Sequence, residues 1–307
     1  MVLDSAERQN HMKYHTIFAL FILSFIRSAY ADLDLENIRL KTLINWSQEL
    51  LVEATNPVTV AIIDTGIQAD ASFFAGKLLP GMNFLEPGMP VVDDEGHGTA
   101  CAGIILELSS KKTLILPLRV AGRSGISTNE IFEEALVYAI NEGAEIINIS
   151  MSLSEEVLNR ILKRVGLIRF NQTLIVAAAG NTGEKFYDIL QDWDNVIVVG
   201  ALNLTLPIEK TKYSNFGERV DLMAPAGNSH DGITTVAIGG SDRLRLFNGT
   251  SAAAPVVAGV AALVKETWPL LTAVELKKLL LDRSCSSPAL AGLTRLGSYL
   301  NVGQGCP

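Results

Sequence analysis

The most reagent-like residue in the chain is a serine with little polar company. Ser251 follows Gly249-Thr250 and precedes Ala252-Ala253-Ala254-Pro255-Val256. Such a serine either caps a buried helix or offers its hydroxyl as a nucleophile. A serine hydroxyl is weakly nucleophilic. The second role needs a base to take its proton and a carboxylate to hold that base. Asp64 closes an apolar run at 58–63 and is followed by Thr65-Gly66. It fits a turn before glycine, and it equally fits a ligand-facing carboxylate, because sites gather at the carboxyl ends of parallel strands. His97 lies between Gly96 and Gly98 and opens an apolar helical run from Ala100 to Leu108. It reads as a surface histidine at a helix start or as the base. A helix N-terminus disfavours an imidazolium, so the base reading needs a nearby carboxylate, which Asp64 can supply. Asn181 ends the run Val176-Ala177-Ala178-Ala179-Gly180. It is either a turn residue or an amide donor for a developing oxyanion.

The chain order is Asp, His, Ser, which differs from the order in chymotrypsin-like and α/β-hydrolase enzymes. The latter also need G-x-S-x-G, and Gly249-Thr250-Ser251-Ala252-Ala253 lacks the second glycine. The blocks IIDTG (62–66), GHGTACAG (96–103), VAAAGN (176–181), YSNFGERVDLMAPAG (213–227) and GTSAAAPVVAG (249–259) resemble those of the subtilisin-like serine proteases, the subtilases. The resemblance runs from about residue 57 to the C-terminus. It implies a triad of Asp64, His97 and Ser251 with Asn181 as oxyanion donor, and an endopeptidase acting through an acyl-enzyme. It implies a three-layer α/β fold with a mainly parallel seven-stranded sheet flanked by helices. It also implies a substrate channel and S1 pocket lined by Ser150, Met151 and Ser152 and by Ala178, Ala179 and Gly180. The rival expectation is a catalytically silent peptide-binding domain on the same fold. Ala100, Ala252 and Val256 stand where subtilases usually carry His, Met and His, and none of these carries a proton in the mechanism. Ser152 replaces a common glycine and is expected to narrow the channel. The sequence shows no obvious acidic, glycine-bearing loop for the family's tight calcium site, so calcium stays open without an evident site and no other cofactor is expected.

The elements that must position these groups are visible as punctuated apolar runs. Segments 58–63, 113–120, 144–150, 173–179 and 195–201 read as strands buried on both faces. They alternate with helical patterns at 128–142 and 154–168, the first carrying Ile131, Ala135, Tyr138 and Ala139 on one face behind Thr128 or Asn129. This alternation argues for a parallel sheet covered on two sides. Two further helices are expected near 251–267 and 272–282, with Pro255 in the first turn of the former, where a missing N–H costs nothing.

The chain has 307 residues, 48% hydrophobic content and a formal charge of −8, enough for a large core and no basic patch for nucleic acid or an anionic membrane. Residues 17–26 form a ten-residue apolar run, too short to span a bilayer. With Ala29-Tyr30-Ala31 behind it, the pattern predicts a signal peptide over 1–31, with translation starting at Met12 as the better n-region. The mature domain is then 32–307, secreted or periplasmic, monomeric and not membrane-bound. Only 32 residues (32–63) precede Asp64 in it, which leaves no room for a folding propeptide. In an oxidising compartment Cys285 and Cys306, in a polar tail, are expected to pair, while Cys101 reads as a buried thiol. No cysteine spacing resembles a zinc site. Asp93, Asp94 and Glu95 read as a solvated loop or as a preference for basic residues near the cleaved bond.

Overall fold

The computed structural model describes residues 38–45, 56–123, 127–151, 155–187, 190–240, 243–303 and 305–306. The expected signal peptide, the starts at Met12 and Asp32, and Ser152 lie outside the described residues. Among the described residues no helix is long and apolar enough to cross a membrane.

In chain order the elements are α1 (Ile38–Leu43), β1 (Thr59–Asp64), β2 (Met82–Asn83), α2 (His97–Leu108), β3 (Leu114–Arg119), α3 (Asn129–Asn141), β4 (Ile146–Ile149), α4 (Glu155–Val165), α5 (Leu167–Phe170), β5 (Leu174–Ala178), β6 (Val196–Leu202) and β7 (Leu222–Pro225). They continue with β8 (Gly227–Asn228), β9 (Asp231–Val236), β10 (Leu244–Phe247), α6 (Thr250–Thr267), α7 (Ala273–Arg283), β11 (Cys285–Ser286) and β12 (Ser298–Tyr299). Residues 39–307 form one compact unit.

The main sheet runs β11-β12-β7-β6-β5-β4-β1-β3-β2. The seven strands from β7 to β2 are mutually parallel, as the resemblance implied. Two short strands extend this set at one edge: β12 pairs parallel to β7, and β11 pairs antiparallel to β12. Each spans two residues, too few to show an alternating pattern in a sequence. Cys285 on β11 is bonded to Cys306, with 5.5 Å between the Cα atoms. The covalent tie holds the last residues to this added edge.

Period two explains the layers. Val60 and Ile62 face a core shared with α2 and α6, whereas Ala61 and Ile63 face the core under α3 and α4. Both sets are fully buried, so β1 is apolar throughout rather than alternating. Each buried Val, Ile or Leu side chain contributes roughly 1.5–3 kcal/mol. Thr128 caps α3 by accepting from Ile131 N, and Thr272 and Glu275 form a reciprocal capping box on α7. Helix α6 is buried on nearly every side, and its alanines and Gly259 let α2 pack close. A Cβ on Gly259 would lie 2.9 Å from the Ile105 carbonyl oxygen.

Pro255 is not in the first turn of α6, because the helix begins at Thr250. In the second turn its missing N–H leaves the carbonyl of Ser251 without its helical donor. That carbonyl accepts instead from Ser150 Oγ at 3.1 Å, with Cys101 Sγ at 3.5 Å. The proline therefore ties the serine helix to the end of β4.

Candidate active site

The carboxyl ends of β1, β4 and β5 lie side by side, with Ile63 opposite Ile149 and Ile149 opposite Ala177. Helices α2 and α6 present their N-termini at the same edge. Asp64 is the last residue of β1 and is 1% exposed. Its Oδ1 accepts from Thr65 N at 2.8 Å and from His97 Nδ1 at 2.8 Å. His97 is the first residue of α2. The close approach depends on Gly98, where a Cβ would sit 2.3 Å from the Gly66 carbonyl oxygen and 3.1 Å from Asp64 Cβ.

Burial opposes the charged form of His97, but the Asp64 charge, with Cys101 and the Asp64 hydrogen bond adding to it, outweighs that cost and raises the imidazole pKa. The Asp64 bond fixes Nδ1 as the protonated nitrogen, which leaves Nε2 as the acceptor. The ring is a quarter exposed and packs edge-on against Phe247, with centroids 5.2 Å apart. Phe247 ends β10, a strand of the separate antiparallel ribbon β8-β9-β10.

Ser251 is the second residue of α6, and its Oγ donates to the Ser150 carbonyl at 3.0 Å. Free enzymes often hold catalytic hydroxyls in such off-line bonds. The amide of Asn181 is oriented by Thr250: Asn181 Oδ1 accepts from Thr250 N at 2.8 Å and from Thr250 Oγ1 at 3.0 Å. This leaves Asn181 Nδ2, the donor end, without an acceptor among the described residues. Thr250 Oγ1 in turn accepts from Gly180 N at 3.1 Å.

The other expected site residues divide. Ser150 lends its carbonyl to Ser251, and Asn148 Nδ2 donates to Ser150 Oγ at 3.0 Å. Met151 and Ala178 are half-buried, and both pack against the hydrophobic cores. Gly180 is half-buried beside Thr250. Ala179 is buried at the corner. It is 3% exposed, its N–H bonds the Val199 carbonyl and its own carbonyl accepts from Asn215 Nδ2. It is framework for the corner.

The acidic trio before His97 is neither a solvated loop nor a uniform cation site. Asp93 is 4% exposed. It accepts from Thr65 Oγ1 (2.9 Å), Glu95 N (3.0 Å), Gly96 N (2.7 Å), Thr99 N (2.9 Å) and Thr99 Oγ1 (2.6 Å). Thr65 Oγ1 also accepts from Gly98 N at 3.0 Å. One carboxylate thus ties the Asp64 turn to the first turn of α2. Asp94 pairs with buried Arg119 at 3.3 Å, and Glu95 alone is exposed. The signal for Asp93 was an acidic residue just ahead of a helix start, which capping logic reads as an acceptor for orphan N–H groups.

Cys101 is buried and free, its Sγ 4.0 Å from His97 Nδ1. Burial pushes its pKa up, so it stays a thiol. Asp64, His97 and Cys101 form the only cluster with metal-ligand spacing among the described residues. It is not the oxygen-rich set that calcium takes.

Comparison with known proteins bears on the family and the fold. The subtilase family profile matches residues 55–305. Thermitase from Thermoactinomyces vulgaris is 32% identical over 215 residues, 67% of this chain and 74% of that protein. Subtilisin DY from Bacillus licheniformis is 30% identical over 261 residues, 81% of this chain and 88% of that protein. The thermophilic serine proteinase of Bacillus sp. (strain AK1) is 32% identical, but the match spans only 51% of its length. Among solved structures, a cold adapted subtilisin-like serine proteinase superimposes with a TM-score of 0.70 at 24% identity, covering 81% of this chain and 90% of that one. The chain belongs to the subtilase family.

Proposed function

We propose that this chain is an exported serine endopeptidase that cleaves peptide bonds through an acyl-enzyme, with Asp64, His97 and Ser251 as its triad. The observation that carries the reading is the 2.8 Å bond from His97 Nδ1 to buried Asp64 at the same sheet edge as Ser251. When substrate arrives, the Ser251 hydroxyl turns from the Ser150 carbonyl to His97 Nε2. The oxygen attacks the scissile carbonyl as the proton passes to Nε2. Asp64 holds the ring and stabilises the imidazolium. The tetrahedral oxyanion accepts from Ser251 N–H, which has no backbone acceptor among the described residues, and from Asn181 Nδ2. His97 then returns its proton to the leaving amine, and the acyl group stays on Ser251. Water enters by the same route in reverse and frees the acid. The α6 N-terminus favours the negative charge at each stage. No step calls for a metal or cofactor. Export is supported by the 17–31 pattern and by the Cys285–Cys306 bond. The substrates are peptides or proteins, and a monomer suffices because all four groups come from one chain.

The test is hydrolysis of an unfolded protein substrate by the wild type and by Ser251→Ala. Cleavage by the first and none by the second supports the reading. Equal cleavage, or peptide binding with no cleavage by the wild type, would point to the silent domain.

A further inference from the structure

On the protease reading, with the expected channel at the ends of β4 and β5 taking the acyl half, the residues after the scissile bond leave on the side of the imidazole that protonates them. The structure puts a basic lane on that side. Phe247 meets the His97 ring at 5.2 Å, and the Arg245 guanidinium lies over the Phe247 ring, 5.5 Å from its centroid. Arg245 and Phe247 share one face of β10, and Arg243 immediately precedes the strand. Arg245 also borders the His97 loop: its Nη1 is 3.2 Å from where a Cβ on Gly96 would be. Both arginines are exposed, and neither has an ion-pair partner among the described residues. Two of the three acids beside His97 are spent internally, Asp93 on backbone N–H groups and Asp94 on Arg119, which leaves Glu95 as the one exposed carboxylate of that loop.

We propose that Arg245, seated on Phe247, selects peptides with an acidic residue on the leaving-group side of the scissile bond. An extended chain advances about 3.3 Å per residue, so the two ring spacings of 5.2 and 5.5 Å set the third residue after the bond as the outer limit of the guanidinium's reach. The selection is electrostatic and exposed, hence modest and salt-sensitive. It rests on the protease reading above and deepens it by naming a substrate class.

The test uses quenched fluorescent peptides with one acyl half and Asp, Asn or Lys at the second or third leaving-side position. For the wild type at low salt, kcat/KM for Asp over Asn is expected to be about threefold to fivefold, shrinking towards one in high salt. Arg245→Gln brings the ratio to one, and Arg245→Glu inverts it in favour of Lys. The ratio is taken within one preparation, so it does not depend on the fraction folded. A wild-type ratio of one, or an Asp preference that survives Arg245→Gln, overturns the selectivity and leaves the protease reading intact. If the wild type cleaves no peptide, the protease reading fails and the selectivity falls with it.

Discussion

Two helix N-termini meet at the active-site edge, and they are held in different ways. The start of α2, which carries His97, is locked by one buried carboxylate. Asp93 accepts five hydrogen bonds that join it to the Asp64 turn. The start of α6, which carries Ser251, is held around the nucleophile and not through it. Thr250 is fixed by Asn181 and Gly180, Pro255 frees the Ser251 carbonyl for Ser150 Oγ, and the Ser251 hydroxyl has one bond to the Ser150 carbonyl. The proposed base is held by its bond to Asp64, and the proposed nucleophile keeps one torsion. A proton acceptor gains from fixed orientation, whereas a serine nucleophile must move from its resting hydrogen bond to a carbonyl carbon and back.

This contrast can be broken at either end. The largest loss is expected from Ser251→Ala, which removes the moving part outright. A fall of about 10⁶ in kcat is known for the equivalent change in subtilisin itself and is borrowed here. Steady-state kinetics with circular dichroism as a folding control would check it.

Next comes Asp64→Asn, expected to lower kcat by about 10⁴ by favouring the wrong imidazole tautomer. It also has a pH signature. In the wild type the raised His97 pKa means that the neutral base appears only at a pH above the ordinary histidine range, so the acid limb of kcat/KM lies high. Removing the carboxylate charge should move that limb down. The same linkage acts on stability. A raised folded pKa stabilises the protein fully below the unfolded histidine pKa, and this contribution is lost as pH rises through the folded value. The wild-type advantage in Tm over Asp64→Asn should therefore be greatest in acid and shrink towards alkaline pH.

Asn181→Ala tests the corner that faces the nucleophile. Loss of one oxyanion donor costs ~10²–10³ in kcat, a magnitude measured on this donor in subtilisin. KM should change far less, because the donor acts on the transition state. A folded Asn181→Ala enzyme within about threefold of wild type would make Asn181 a turn residue only.

The smallest effect on chemistry and the largest on stability should come from Asp93→Asn. The amide keeps the shape but turns a donor towards N–H groups, leaving about one or two buried donors unsatisfied at roughly 1–3 kcal/mol each. Thermal melts should show the loss directly. A slight tilt of α2 relative to Asp64 should cost about 10- to 100-fold in kcat. If Tm falls and kcat holds, the lock is structural and does not position the base.

Most of this was legible before any coordinates. The strands at 58–63, 113–120, 144–150, 173–179 and 195–201 are long apolar runs, and the chemical groups sit where such runs stop. Glycine beside His97 and alanine beside Ser251 marked close backbone approach. The rest depended on partners far apart in sequence. Asp93 is fully engaged because Thr65 and Thr99 fold onto it, which the run Asp93-Asp94-Glu95 cannot reveal. The lodging of Phe247 against His97 joins positions 150 residues apart. Pro255 was misplaced by the start of one helix, since a shift of a few residues decides whether a missing N–H matters. The edge strands at Cys285–Ser286 and Ser298–Tyr299 are too short for any periodic signal.

The most direct test of the triad is covalent. The protein should be treated with a fluorophosphonate, digested, and the modified residue located by mass spectrometry, across pH. The expected result is one adduct on Ser251, formed faster as pH rises through the His97 titration and absent in Ser251→Ala. No adduct on folded wild-type protein, or an adduct on another residue, would contradict the assignment of Ser251 as the nucleophile.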